Sequence, residues 1–130
     1  MIKFENVTKK FGDVTALNGV SFVIEPGEFV FVIGPSGAGK STLVKLILRE
    51  YLPCEGIIKV KDFNLHELPK KKIPGYRRQI GVVFQDFKLL SDQTVFENVA
   101  LALRILNEAG EKIEQKVLNI LDLVGLKGKD

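Results

Sequence analysis

A mixed α/β fold, with an antiparallel β piece at its N-terminus, is what this 130-residue sequence predicts. Three observations point to it. β-forming residues dominate the first two dozen positions and are cut by turn signals at Gly12-Asp13 and Asn18-Gly19. A continuous apolar run, Phe29-Val30-Phe31-Val32-Ile33, has no polar face, as in a strand buried on both sides of a parallel sheet. That run breaks into Gly34-Pro35-Ser36-Gly37-Ala38-Gly39, after which apolar residues recur at helical spacing.

Taken in order, Ile2 to Lys10 predicts a first strand, and Val14 to Leu17 and Val20 to Ile24 two short ones closed by Pro26-Gly27. Phe29 to Ile33 predicts the central buried strand. From Lys40, the residues Leu43, Val44, Ile47 and Leu48 form a helical stripe. Gly56 to Val60 reads as a further strand, and Lys61 to Gly75 as a polar, Pro-punctuated loop with a short helix. Ile80-Gly81-Val82-Val83-Phe84 predicts a second buried strand. Thr94 followed by Glu97 fits a capping box that opens a helix through Val99 to Leu106. Ile113, Val117, Ile120, Leu121 and Val124 share one face of a last helix, which stops at Gly125.

Composition bounds the function. The chain is one domain's worth of residues. Lys and Arg number 19 and Asp and Glu 16, for a net charge of +3, with 45% hydrophobic residues. That balance excludes intrinsic disorder. Every long hydrophobic stretch contains a charge, which excludes a membrane span, and the opening Met1-Ile2-Lys3-Phe4-Glu5 is not a signal peptide. A lone cysteine, Cys54, fits a reducing compartment, and one histidine, His66, with one cysteine excludes a structural zinc site. Basic residues cluster at Lys70, Lys71, Lys72, Arg77 and Arg78, with no acid from Leu68 to Gln85. One such patch is not the aromatic-interleaved stripe of a nucleic-acid binder, so no nucleic acid is expected as partner.

Gly34-Pro35-Ser36-Gly37-Ala38-Gly39-Lys40-Ser41 matches the phosphate loop G-x-x-x-x-G-K-[ST]. Glycines let the main chain curl until successive N–H groups face a common centre, and the following helix starts there with free N–H groups and a positive dipole end. Lys40 adds a point charge for outer phosphates, and Ser41 a hydroxyl for Mg²⁺. The loop names a ligand class and not a reaction.

The surrounding residues resemble the ATP-binding cassette (ABC) ATPases. Ile2 to Gly12 is similar to that family's N-terminal strand and adenine-stacking loop. Gly34 to Thr42 reads GPSGAGKST, and Arg77-Arg78-Gln79-Ile80-Gly81-Val82-Val83-Phe84-Gln85 is similar to the strand leading to its Q-loop. The resemblance runs from Met1 to about Gly125. It implies a P-loop NTPase (RecA-like) core with an antiparallel N-terminal β-subdomain, incomplete, and residues 1–130 as the N-terminal part of a nucleotide-binding domain. Within the family, the run from Phe84 to Leu90 and Thr94 to Ala100 is most similar to the cytoplasmic ATPases that serve a transmembrane partner in bacterial cell division. Lipoprotein-releasing and macrolide-export ATPases are close alternatives.

The resemblance further implies ATP and Mg²⁺ as cofactors. Phe11 would stack on adenine. Gly34, Ser36, Gly37, Ala38, Gly39, Lys40, Ser41 and Thr42 would cradle phosphates. Gln85 would reach, with Ser41, the metal, and with Lys40 would serve catalysis. Asp86 to Asn98, with Phe87 and Leu89, would face the transmembrane partner, placing the protein in the cytoplasm at the inner face of the plasma membrane. The family's LSGGQ signature, its apolar strand ending in Asp-Glu and its switch histidine have no counterpart among these residues. The expectation is therefore nucleotide binding with negligible hydrolysis by this stretch, a head-to-tail homodimer for the intact protein, and self-association or domain exchange for the fragment. A stand-alone nucleotide-binding module and a small-molecule kinase are the competing readings.

Overall fold

The computed structural model describes residues 1–126 and residue 128. They fall into two compact units, residues 1–80 and residues 81 onward.

The first unit is built on a four-stranded antiparallel sheet. β1 (Ile2–Phe11) is its centre, flanked by β2 (Val14–Ile24) and β3 (Glu55–Val60), with the two-residue β4 (Phe63–Asn64) at the edge. The two short strands expected at Val14–Leu17 and Val20–Ile24 are one. The ladder passes Asn18-Gly19 with register shifts against β1 in place of a turn. The Thr8 hydroxyl holds that irregularity by accepting the Gly19 N–H at 3.1 Å. β1 bulges at Asn6, in the left-handed region at φ 49°, where Ser21 Oγ accepts its N–H at 2.8 Å.

One face of the sheet carries Phe4, Val7, Ile58 and Val60, all buried. They join Leu46, Leu65, Leu68 and Tyr76 in the core. Leu46 comes from α1 (Lys40–Ile47) and Tyr76 from the short α2 (Ile73–Arg77), which follows a 3₁₀ turn at Lys70–Lys72. Of the expected α1 stripe, Leu48 is buried and Leu43 and Ile47 pack against the core, whereas Val44 is exposed and Leu46, outside that stripe, is buried. The core face of α1 is thus the expected one, with Leu46 in place of Val44.

Two expected strands do not form. Phe29 to Ile33 and Ile80 to Phe84 lie outside every strand, and Phe29, Phe31, Ile33 and Val83 are strongly exposed. A parallel strand satisfies its N–H and C=O groups only on neighbouring strands. No neighbour for either segment occurs among the described residues, whose only sheet is the antiparallel one.

The second unit packs α3 (Val95–Ile105) with α4 (Gly110–Leu123). Ala100 of α3 meets Ile113, Val117 and Leu121 of α4, all buried at i, i+4, i+8 spacing, whereas Ile120 and Val124 of the expected face are exposed. The Thr94 hydroxyl accepts the Glu97 N–H at 3.1 Å, so the expected N-cap is present. The reciprocal half of the capping box is not. The Glu97 carboxylate instead takes both arms of the Arg104 guanidinium, two turns along the helix, which holds its carboxyl below the ordinary glutamate range.

Candidate functional site

The loop from Gly34 to Gly39 takes a shape that side-chain-bearing residues rarely adopt. Gly39 stands at φ 84°, and a Cβ there would lie 2.3 Å from the Ala16 carbonyl oxygen of β2. Only glycine lets the loop sit down on the sheet at that point. A tight turn precedes it, with the Ala38 N–H donating to Pro35 O at 3.3 Å.

Gly39 is the N-cap of α1 and has no side chain to offer. The first main-chain bond of the helix runs from Leu43 N to Gly39 O at 3.1 Å. The N–H groups of Lys40, Ser41 and Thr42 therefore lack intrahelical acceptors and concentrate positive partial charge at the loop. The Lys40 ammonium folds back and donates to Gly34 O at 2.7 Å and Pro35 O at 2.6 Å. An ammonium has three N–H donors, so two loop carbonyls anchor it and one N–H is left for an anion. Ser36, Gly37, Ala38 and Ser41 are exposed and Thr42 is half-buried. The first turn of α1 carries no acid that would repel a phosphate.

The far end of α1 is held by residues on and beside the basic patch. Tyr76 Oη donates to Ile47 O at 2.5 Å, Arg77 Nε to Leu48 O at 2.7 Å, and an Arg77 terminal nitrogen to Arg49 O at 3.1 Å. Three carbonyls left over at the helix C-terminus thus gain partners, one of them a cation that complements the dipole. Burial pushes the Tyr76 phenol up to about 12, so it stays a donor well into alkaline pH. The helix that presents the phosphate loop is pinned at both ends. Nothing in the spacing marks Tyr76 or Arg77 for this role, because their partners lie 29 residues away.

Phe11 ends β1 beside the hairpin turn and is 40% exposed, so it is not a core residue. Its ring meets that of Tyr51 edge-to-face, with centroids 5.1 Å apart. The Lys9 ammonium lies 5.0 Å from the Phe11 centroid and 5.5 Å from that of Tyr51.

Phe11 and Gly34 to Thr42 belong to the first unit and Gln85 to the second. Gln85 is exposed in a turn closed by Phe87 N–H to Phe84 O at 3.1 Å, with Phe87 and Lys88 left-handed at φ 53° and 51°. Asp86 pairs with Lys88 at 2.6 Å, which lowers the Asp86 carboxyl below its usual range. Phe87 and Leu89 are exposed. Asn98 ties the segment from Leu90 to Thr94 to α3. Its amide oxygen accepts Leu90 N–H at 2.8 Å, and its amide nitrogen donates to Leu90 O, Gln93 O and Thr94 O at 3.0, 3.3 and 2.9 Å. An Asn four residues past an N-cap Thr could have signalled this clamp.

Cys54 is exposed, close to the Lys10 main chain, and His66 is exposed. Among the described residues, no group of three or more His, Cys, Asp or Glu side chains could hold a metal.

Comparison with known proteins places this geometry. The chain is 54% identical over 130 residues to the cell division ATP-binding protein FtsE of Bacillus subtilis (strain 168), covering 99% of this chain and 57% of that protein. To FtsE of Streptococcus pneumoniae serotype 2 it is 47% identical over 130 residues, covering 99% and 56%. To that of Escherichia coli (strain K12) it is 46% identical, covering 99% and 59%. The chain thus spans less than three fifths of these relatives and corresponds to the N-terminal portion of an FtsE-like protein. Among solved structures, the dimeric structure of MJ0796, a bacterial ABC transporter cassette, superposes with a TM-score of 0.85 at 37% identity, covering 98% of this chain and 59% of that one. MJ0796 in a post-hydrolysis state bound to ADP and Pi gives 0.84 at 36%, with the same coverage. These likenesses make the fold that of a P-loop NTPase with an antiparallel N-terminal sheet. Since the ABC transporter family also matches residues 17–130, from β2 beneath the loop through the last helix, the chain belongs to that family.

Proposed function

We propose that this chain is the nucleotide-binding part of an FtsE-like ATPase, which couples ATP binding and hydrolysis to an FtsX-like transmembrane partner in cell division. The observation that carries the reading is the phosphate loop itself. It is seated on Ala16 through Gly39, its lysine is tied to Gly34 and Pro35, and three unpaired N–H groups stand at its helix. Main-chain N–H groups around a loop of this size suit a polyphosphate. Lys40 meets the outer phosphates, and Ser36 to Thr42 the inner ones.

The residues present fit Mg²⁺ as it is usually held in such sites, by substrate phosphates and a few protein oxygens. Ser41 would hold it from the first turn of α1, and Gln85 is the other residue proposed for the metal. Bound there, Mg²⁺ would neutralise charge that develops on the transferred phosphoryl group. Lys40 binds and orients the phosphates, and Gln85 is proposed to orient the attacking water. Phe11 stacks on the adenine.

Phosphoryl transfer also needs a group that positions and deprotonates water. These 130 residues contain no LSGGQ and no apolar strand ending in Asp-Glu. The chain by itself therefore binds nucleotide and hydrolyses it negligibly, whereas the intact protein works as a head-to-tail dimer. Phe87 and Leu89, exposed beside the Asn98 clamp, suit the segment Asp86 to Asn98 to docking against the transmembrane partner. Among the described residues, no helix is long and apolar enough to cross a membrane. A peripheral place at the cytoplasmic face follows from the partner.

Titration with Mg-ATP, wild type against Lys40→Ala, tests the central claim. Binding is expected for the wild type and loss of at least tenfold in affinity for the variant, the order expected from a charge-assisted hydrogen bond. Equal binding overturns the phosphate role. Phosphate release by the chain at the rate of an intact cassette overturns the claim of negligible hydrolysis.

A further inference from the structure

The two ends of α1 are held in different ways. Its first turn, which carries the N–H groups of the phosphate loop, has no side-chain cap. Beyond its last turn, every main-chain carbonyl from Leu46 to Arg49 has a partner. Leu46 O accepts the Arg49 N–H at 2.9 Å, Ile47 O the Tyr76 hydroxyl, and Leu48 O and Arg49 O the Arg77 guanidinium. Arg49 adds a strap of its own. It stands left-handed at φ 57°, its Nε donates to Leu65 O at 2.6 Å, and the Leu65 N–H donates to Ile58 O of β3 at 2.9 Å. Tyr76 is buried and meets Phe63 of β4 edge-to-face, with centroids 5.3 Å apart. The far end of the helix is therefore tied through side chains to the sheet. None of these bonds involves the loop from Gly34 to Gly39. A helix of eight residues is about 12 Å long and moves as a short rod. Loosening one end tilts the other, and hydrogen bonds weaken steeply once the N–H is misdirected.

We propose that Arg49, Tyr76 and Arg77 are positioning residues for phosphate binding. They fix the far end of α1 so that the N–H groups of Lys40, Ser41 and Thr42 stay aimed at the anion. This inference rests on the nucleotide-binding reading and adds to it residues that set affinity from the opposite end of the helix.

The test measures the affinity of the chain for inorganic tripolyphosphate and for Mg-ATP by titration calorimetry, at a temperature where circular dichroism shows each variant folded. Arg77→Ala is expected to weaken both ligands about tenfold and Tyr76→Phe about threefold, the range of the hydrogen bonds removed. Arg49→Ala is expected to weaken both in the same way. Arg77→Lys recovers part of the loss, since an ammonium keeps the charge but not the fork that spans two carbonyls. Val60→Ala is the control for stability. Val60 is buried in β3 and bonds neither the loop nor α1, so its truncation should lower the unfolding transition and leave both affinities at the wild-type value. Wild-type affinity in folded Arg77→Ala and Tyr76→Phe overturns the proposal. So does an equal loss of affinity in Val60→Ala, which would make the three residues merely structural. Should Arg77→Ala not fold, Tyr76→Phe decides, because it keeps the ring and removes only the hydroxyl. If the wild type binds both ligands and the variants match it, the positioning role falls and the phosphate loop stands; if the wild type binds neither, both fall.

Discussion

Two β-prone segments of the first unit end up in opposite states. β1, Ile2–Phe11, mixes polar and apolar positions and is paired on both edges, with Phe4 and Val7 buried. Phe29 to Ile33 is wholly apolar, yet it is unpaired; Phe29 and Phe31 stack edge-to-face on each other at 4.9 Å and remain 83% and 78% exposed. Apolarity and β-propensity state how well a segment would fit a covered sheet. They do not supply the sheet. A strand is a relation between segments, and β1 has its partners within 60 residues, whereas the described residues hold none for Phe29 to Ile33.

The sharpest way to break that comparison is truncation of a ring on each side. Phe4→Ala should lower unfolding free energy by about 3–5 kcal/mol, as for other buried aromatic truncations. Phe31→Ala should stay within about 0.5 kcal/mol, as at an exposed position. Urea denaturation of the two variants measures the gap, and equal losses would mean that Phe31 is buried in solution. Such burial could come from a second copy. Sedimentation at rising concentration should reveal self-association that Phe31→Lys reduces, since an exposed unpaired apolar segment invites pairing.

Next in size come the anchors of α1. Gly39→Ala combines a strained φ with a close approach to Ala16 O and should cost about 1–3 kcal/mol, with weaker tripolyphosphate binding. Arg77→Ala exposes the Leu48 and Arg49 carbonyls and should cost about 1–3 kcal/mol in the same assay.

A pH dependence isolates the remaining anchor. The Tyr76 phenol is raised to about 12 in the folded chain, against an ordinary 10.0. The folded state therefore keeps this proton where the unfolded chain has lost it. Its contribution is fully present below pH 10 and is lost as pH rises toward 12. The fall in stability over that window should be shallower in Tyr76→Phe, which a difference between the two alkaline denaturation curves reads out.

The smallest expected effect lies in the second unit. Glu97→Gln removes the exposed pair with Arg104 and should lower melting temperature slightly, with the difference vanishing in high salt. The Thr94 cap, in which the hydroxyl meets a main-chain N–H, should survive that change.

The features legible in the sequence are local. The phosphate loop, the start of α1 at Lys40, the Thr94 cap and the Ile113, Val117, Leu121 face depend on residues within one or two turns of each other, so spacing encodes them directly. The role of Thr94 is legible in this way and that of Glu97 is not. Two partners compete for the Glu97 carboxylate, and Arg104, a stronger donor than a main-chain N–H, prevails.

By itself the sequence determined where an anion can be gathered, since the glycine spacing, Lys40 and the helix start are covalent neighbours. Only the tertiary structure decided what holds that place still. Ala16 beneath Gly39, Tyr76 and Arg77 on the α1 carbonyls, and Tyr51 against Phe11 join positions tens of residues apart. Such contacts depend on how elements pack in space, and a main-chain carbonyl or an open ring edge carries no mark in the sequence of the side chain that will meet it.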